Sequence, residues 1–286
     1  EMDIARSMQE VTEKIMLRMA RHIKKITQQE NLCLGGGVAL NCVGNGKILK
    51  EKIFDAIWIQ PAAGDAGGAI GAALFTWYTY LGKDRNADGI NDFQKGSYLG
   101  THYSNDEIKT VLDEYRMRYE ELSDEALITT VAQLIDQKNI VGWFQGKMEF
   151  GPRALGARSI IADARSQEMQ SKMNLKIKFR ESFRPFAPSV LQEECSEYFD
   201  LDCESPYMLL TAPVKDDKRY AHDDSGAHGF DKLKIQYSTV PSITHVDYSA
   251  RVQTVTRKVN PHYYDMIKKF RDLTGCPVII NTSFNI

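Results

Sequence analysis

The stretch Lys147–Ile160, KMEFGPRALGARSI, sets a lysine and two arginines among two glycines and a proline, directly behind the apolar run NIVGWFQG. An apolar run of that length ending in glycine reads as a strand that turns sharply. A glycine turn lets backbone approach a ligand closely, and Arg offers a planar fork matched to phosphate or carboxylate oxygens. The chemistry these residues could do is anion binding. The cations continue beyond the turn: Lys147, Arg153, Arg158, Arg165, Lys172, Lys176, Lys178, Arg180 and Arg184 stand against only Glu149, Asp163, Glu168 and Glu181. Arg165 and Lys172, in the helical stretch ARSQEMQSKMN, are assigned to a solvated helix face. The others neighbour glycine, proline or aromatic residues that hold side chains in place. In KIKFR the charges alternate with apolar residues at a period of two, so this segment is expected to be extended, with Lys178 and Arg180 on one side. Phe179, Phe183 and Phe186 interleave with the charges as base-stacking platforms would, which makes a nucleic-acid groove the rival reading. The formal net charge of −2 and the lack of a nucleic-acid motif weigh against it.

Elements must position these groups. The chain starts in a helical pattern, with Ile4, Met8, Val11, Ile15, Met19, Ile23 and Ile26 three or four apart. A strand at Leu32–Leu34 precedes GGGVALNCVGNGKI, and a second at Ala56–Gln60 precedes PAAGDAGGAIGAALFTWYTYL. Strand, glycine turn and helix, twice over, is the rhythm of a nucleotide-binding α/β domain. Gly35, Gly36 and Gly37 suit either a backbone passing close to a nucleotide or a tight turn with no ligand, and Asn41 is placed to bond ribose or phosphate. Asp65 reads either as a helix N-cap or as a carboxylate of a metal or phosphate site. The polar segment Gly82–Gly96 reads as a linker. Its Asp84, Asn86, Asp88, Gly89 and Asp92 imitate the start of a calcium loop, but the twelfth position is Lys95 where a bidentate Glu is needed. A second unit begins near Tyr98, with helices at Asp106–Tyr115 and Asp124–Gln137. Its strands are expected near Asn139–Phe144, Ser189–Leu191, Met208–Val214, Thr254–Val259 and Val278–Asn281. Lys215–Leu233, dense in Asp, Lys, His and Gly, reads as an exposed loop.

Composition sets bounds on these readings. With 286 residues, 43% hydrophobic and 26% charged, the chain is long enough for two globular domains with real cores. Cys33, Cys42, Cys195, Cys203 and Cys276 are odd in number and contain no CxxC pair, so they read as reduced thiols in a cytoplasmic protein. No apolar run approaches the roughly 20 residues of a spanning helix, so no membrane partner is expected. A start inside a helix and an end just after a strand read as a piece of a longer polypeptide.

Six segments in order, LGGGVALNCVGNGKI, QPAAGDAGGAIGAAL, GWFQGKMEFGPRALGARSI, KFRESFRPFAPSV, HVDYSARVQTV and CPVIINTSFN, resemble the NodU/CmcH-type O-carbamoyltransferases over about residues 30–285. The resemblance implies an α/β protein of two domains. Residues 1–97, including the linker 82–97, would be the C-terminal part of an actin-like ATPase-type domain. Residues 98–286 would be a mixed-sheet domain resembling threonylcarbamoyl-adenylate synthase, truncated at its C-terminus. The second domain would make carbamoyl-adenylate from carbamoyl phosphate and ATP. The first would pass the carbamoyl group to a hydroxyl of a small-molecule acceptor of metabolite, antibiotic or oligosaccharide type. Matching the motifs residue by residue assigns phosphate and carbamoyl-phosphate contacts to Lys147, Arg153, Arg158, Lys178, Arg180 and Arg251. Nucleotide contacts fall to Gly35, Gly36, Gly37, Asn41, Arg184, Asn281 and Ser283. Asp65 matches an aspartate that binds a divalent metal of Fe or Mg type. The family's HxxxH histidine pair has no match among His22, His102, His222, His228, His245 and His262, so that metal site is expected to be incomplete. A homo-oligomer is compatible with this reading, and a nucleotide- or RNA-binding module without turnover is the alternative.

Overall fold

A computed structural model describes residues 2–89, 92–221 and 229–284. The chain divides into two compact units, Glu1–Phe93 with Leu209–Thr211, and Gln94–Met208 with Ala212–Ile286.

The first unit opens with helix α1 (Met2–Thr27), followed by β1 (Asn31–Leu34), α2 (Cys42–Lys50), β2 (Ala56–Ile59) and α3 (Gly67–Phe75), which runs into a π-turn at Thr76–Tyr80. Strands β1 and β2 pair in parallel, Leu32 opposite Ile57 and Leu34 opposite Ile59, with α2 as the crossover. The core is Ala20, Leu32, Ile48 and Phe54, with Met16, Leu17, Leu34, Ile53 and Ile57 packed on it. α1 therefore packs through Met16, Leu17 and Ala20, while the periodic stripe Ile4, Met8, Val11, Ile15, Met19, Ile23 and Ile26 is exposed. Among the described residues no helix is long and apolar enough to cross a membrane.

The second unit contains α4 (Asn105–Glu114), α5 (Asp124–Asp136), β3 (Val141–Phe144), β4 (Arg158–Asp163), α6 (Met169–Lys176), β5 (Ala187–Leu191), α7 (Cys195–Tyr198), the second half of β6 (Leu210–Pro213, whose Leu210 and Thr211 group with the first unit), β7 (Ser249–Val255), α8 (Pro261–Thr274) and β8 (Val278–Ser283). The six strands form one mixed sheet in the order β3-β4-β8-β5-β7-β6. β8 lies antiparallel between β4 and β5, with Asn281 opposite both Ile161 and Ala187, and β5 pairs in parallel with β7, Ser189 opposite Gln253. Helices α5 and α8 pack together on this sheet, burying Val131, Ala132 and Ile135 from one and Tyr263, Met266, Ile267 and Phe270 from the other.

Several local expectations are corrected. β4 and α8 have no counterpart in the sequence reading, although α8 carries its own signals. Its N-cap Asn260 accepts from the Tyr263 amide at 3.2 Å, Pro261 occupies the first turn, and Gly275 ends the helix at φ 74°. The strand expected at Thr254–Val259 lies earlier, at Ser249–Val255. Lys176–Arg180 is not extended. Ile177 is still α-helical, the amides of Lys178 and Arg180 donate to the Met173 and Asn174 carbonyls at 2.9 and 3.0 Å, and Phe179 turns left-handed at φ 48°. Closing the exposed carbonyls of a helix end outweighs the two-residue charge alternation. Arg165 precedes α6 in a turn, so it sits on no helix face. In the loop at Lys215–Leu233, Asp216–Lys218 forms a 3-10 turn and Arg219 bridges Ser238, while residues 222–228, including His222 and His228, lie outside the described residues.

Candidate functional site

The topology brings four strand ends together. The starts of β4, β5 and β7 and the end of β8 share one edge of the sheet, because β8 runs against both of its neighbours. Arg158 opens β4, Arg251 stands third in β7, and Asn281 and Ser283 close β8. Onto this edge folds the turn Glu149–Ala157. Asn281, 1% exposed, donates from Nδ2 to the Ala154 carbonyl at 3.0 Å, to Ser189 Oγ at 3.1 Å and to Gln253 Oε1 at 2.8 Å. Gln253 in turn donates to the Leu155 carbonyl at 2.9 Å, and the buried Tyr263 hydroxyl donates to Ser189 Oγ at 2.9 Å. A polar network in the core thus ties the cation turn to the strands that carry Arg251, Asn281 and Ser283.

Gly156 shows why the turn needs its glycines. Its φ is 97°, and a Cβ there would lie 2.3–2.6 Å from three ring atoms of Tyr263. Gly151 is likewise at positive φ, 141°.

Lys178 reaches the same edge from the end of α6. It is 3% exposed, and its ammonium donates to the Ser283 carbonyl. Burial, reinforced by the nearby Arg180 charge, pushes its pKa down to about 8. Arg180 donates to Asn174 Oδ1 at 2.6 Å and stacks over Phe186, 5.1 Å from the ring centre. Phe186 is buried, so of the three phenylalanines considered as stacking platforms only Phe179 and Phe183 face outward. His245, which the sequence reading left unassigned, feels the Arg251 charge; burial first and then Arg251 hold its pKa below the ordinary imidazole range.

The remaining assigned residues are placed differently. Arg158 turns its guanidinium onto protein. It donates to the carbonyls of Gln145, Ala157, Thr101 and Gly146 at 2.9–3.2 Å and stacks 3.6 Å over the Phe144 ring. Lys147 is exposed in the turn that Arg158 braces. Arg184 is exposed and pairs with Glu181 at 2.7 Å. Arg165, assigned to solvent by sequence, instead bonds Asp163 and Asp136 at 2.7–2.9 Å and lies 5.0 Å over Phe270; Asp163 raises its pKa most. Lys172 is exposed and donates to the Lys138 carbonyl.

In the first unit, the turn at Gly35, Gly36 and Gly37 is open, with no atom within 4 Å of a Cβ built at any of the three and Gly36 at φ 90°. Asn41 is committed to structure. It caps α2 by accepting from the Gly44 amide at 3.0 Å and exchanges bonds with Gln9 of α1 at 3.0 and 3.1 Å. Asp65 is exposed, and no side-chain bond caps α3. Among the described residues no three His, Cys, Asp or Glu side chains are grouped to hold a metal ion, so Asp65 brings no ligand set with it.

Sequence reasoning also missed Glu149, which is 7% exposed and whose Oε1 accepts from the amides of Leu155, Ala157 and Arg158. The single acid of the basic stretch KMEFGPRALGARSI was the signal that could have found it.

Residues 132–286 match the description "Carbamoyltransferase C-terminus" and residues 1–74 match "Carbamoyltransferase N-terminus". The chain is 54% identical over 290 residues to an uncharacterized protein of Synechocystis, covering all of this chain and 47% of that protein. It is 39% identical to the nodulation protein NolO of Bradyrhizobium diazoefficiens, covering 99% of this chain and 48% of NolO. Against nodulation protein U of Rhizobium tropici it is 30% identical, covering 96% and 41%. The chain thus spans about half the length of these relatives. Because the C-terminal description alone accounts for more than half of its residues, the chain belongs to the carbamoyltransferase family.

Proposed function

We propose that this chain is the adenylate-forming part of an ATP-dependent O-carbamoyltransferase. Its second unit, in a fold of the threonylcarbamoyl-adenylate synthase type, lets water cleave carbamoyl phosphate to carbamate and phosphate; a carbamate oxygen then attacks the α-phosphorus of ATP, forming carbamoyl-adenylate and releasing pyrophosphate. Its first unit, part of an actin-like ATPase-type domain, passes the carbamoyl group to a hydroxyl of a small acceptor. The observation that carries the reading is Lys178, a buried ammonium beside Arg180 at the sheet edge where Arg251, Asn281, Ser283 and the Arg153 turn converge. Packing like charges in a low dielectric is unfavourable, and a polyanionic substrate offsets it. Carbamoyl phosphate, the carbamate it yields and ATP must also be held close against mutual repulsion, which fixed cations accomplish. Arg158 serves by shaping the turn through its carbonyl bonds and ring stack, with Lys147 at the rim.

Among the described residues no ligand set surrounds Asp65, so its proposed role is that of one ligand in an incomplete divalent-metal site. All five cysteines are free thiols, which fits the cytoplasmic location we propose. The test is pyrophosphate release from ATP on addition of carbamoyl phosphate; no release above the rate with ATP alone would sink the reading. A second reading, RNA binding without turnover, is favoured by Phe179, 71% exposed beside the cations. Salt-dependent binding of a single-stranded RNA oligonucleotide, lost in Phe179→Ala, would support it in place of catalysis.

A further inference from the structure

We propose that Glu149 is the positioning residue of the cation turn. Its carboxylate occupies a cradle of backbone N–H groups and so holds Arg153 ready for a phosphate-bearing substrate. The inference deepens the proposed function and rests on it for the identity of the substrate.

The turn is pinned from both sides. Upstream, the Phe150 amide donates to the Ser97 carbonyl at 2.7 Å and the Phe150 carbonyl accepts from Ser97 Oγ at 2.6 Å. Downstream, Glu149 Oε1 accepts from the amides of Leu155 at 2.7 Å, Ala157 at 2.8 Å and Arg158 at 3.2 Å. The Gly156 amide between them donates to Ser159 Oγ at 2.9 Å, and the Gly156 carbonyl accepts from Trp143 Nε1 and Gln145 Nε2 at 3.0 and 2.9 Å. Gly151, Pro152 and Arg153 connect the stretch pinned at Phe150 to the one that begins at Ala154, whose carbonyl accepts from Asn281 Nδ2 at 3.0 Å. Several N–H groups aimed at one point make an anion-binding concavity. Here the chain fills that concavity with its own buried anion, and three charge-assisted bonds fix the loop before substrate arrives. Binding then need not order the loop, which is how preorganisation raises affinity.

Charge and reach can be separated. Glu149→Asp keeps the charge and shortens the reach by one methylene; Glu149→Gln keeps the reach and an acceptor oxygen and drops the charge. If the carboxylate acted only through its charge, the Asp variant would match wild type and the Gln variant would bind anions more tightly. As a positioning residue, Glu149→Asp is expected to weaken carbamoyl phosphate binding about tenfold by calorimetry, with Glu149→Gln recovering most of the affinity. In an Arg153→Ala background the Asp substitution should cost little more, because both changes act on one group. Asp binding like wild type, or full additivity with Arg153→Ala, overturns the proposal. Should the Asp variant fail to fold, hydrogen exchange on the ligand-free wild-type chain decides. The Leu155, Ala157 and Arg158 amides are expected to be protected, and fast exchange at all three overturns the clamp. A wild-type chain that binds no carbamoyl phosphate would defeat the proposed function, while amide protection would still judge the clamp.

Discussion

Lys178 offers a test that couples the site to stability. An ordinary lysine in the unfolded chain keeps its proton to about pH 10.5, whereas the folded chain releases it near pH 8. Below pH 8 both states are protonated and the folded state carries the full cost of the buried charge. Between pH 8 and 10.5 the unfolded chain binds more protons, so stability rises with pH through that window. One group contributes at most about 1.4 kcal/mol per pH unit, or roughly 3 kcal/mol across the window. Lys178→Met keeps the length of the side chain and removes the titration. Urea unfolding of both proteins from pH 7 to 10.5 isolates the effect, because tyrosines and other groups titrate in both and cancel in the difference. Wild type is expected to gain on the variant steadily above pH 8. Parallel stability curves would falsify the claim that Lys178 is held as a costly buried cation. The functional arm uses the same pH range. In the proposed site carbamoyl phosphate is held through the ammonium, so its affinity should fall above pH 8 in wild type and show no such step in Lys178→Met. A wild-type affinity constant from pH 7 to 9.5 would place Lys178 outside the anion site.

Other expectations follow from the same geometry. Gly156→Ala pushes a Cβ into the buried Tyr263 ring at a positive φ and should destabilise by about 3 kcal/mol or more; a loss below about 1 kcal/mol would mean the turn relaxes freely. Arg165→Ala strips Asp163, 2% exposed, of a bonded cation and should cost about 3 kcal/mol in chemical denaturation. Lys172→Ala, on the exposed face of α6, should stay within about 0.5 kcal/mol; equal effects at the two positions would contradict the ion-pair account. Arg153→Ala and Arg251→Ala should each weaken carbamoyl phosphate binding by about tenfold with the fold intact, and Arg→Lys should rescue little. Titrations indistinguishable from wild type for both would dissolve the shared pocket.

What the sequence determined by itself was the local and the motif-borne. The parallel pair β1 and β2 with its crossover helix, helices α4 and α5, and the strands β3 and β8 were legible because glycine turns, caps and apolar runs are short-range signals. The family was legible too, because the six motif segments are short and stand in order. Tertiary structure decided where each cation sits and what it bonds. Arg165 looked like surface and proved to be bound by Asp163 and Asp136, the latter 29 residues away. Arg158 looked like a ligand, yet it bonds the carbonyls of its neighbour Ala157, of Gln145 and Gly146, and of the more distant Thr101. Lys178 and Arg180 alternate as a strand would, yet they sit at the end of a helix whose open carbonyls take their amides. The α1 stripe follows helical periodicity but is not the face that packs. β4 sits in the sheet between β3, the strand just before it, and β8, near the end of the chain. Periodicity reports what a segment would bury, but which partner covers it, and which charge is left facing a ligand, depends on hydrogen bonds between residues far apart in the chain. Those are settled only when the sheet closes around Asn281 and Gln253.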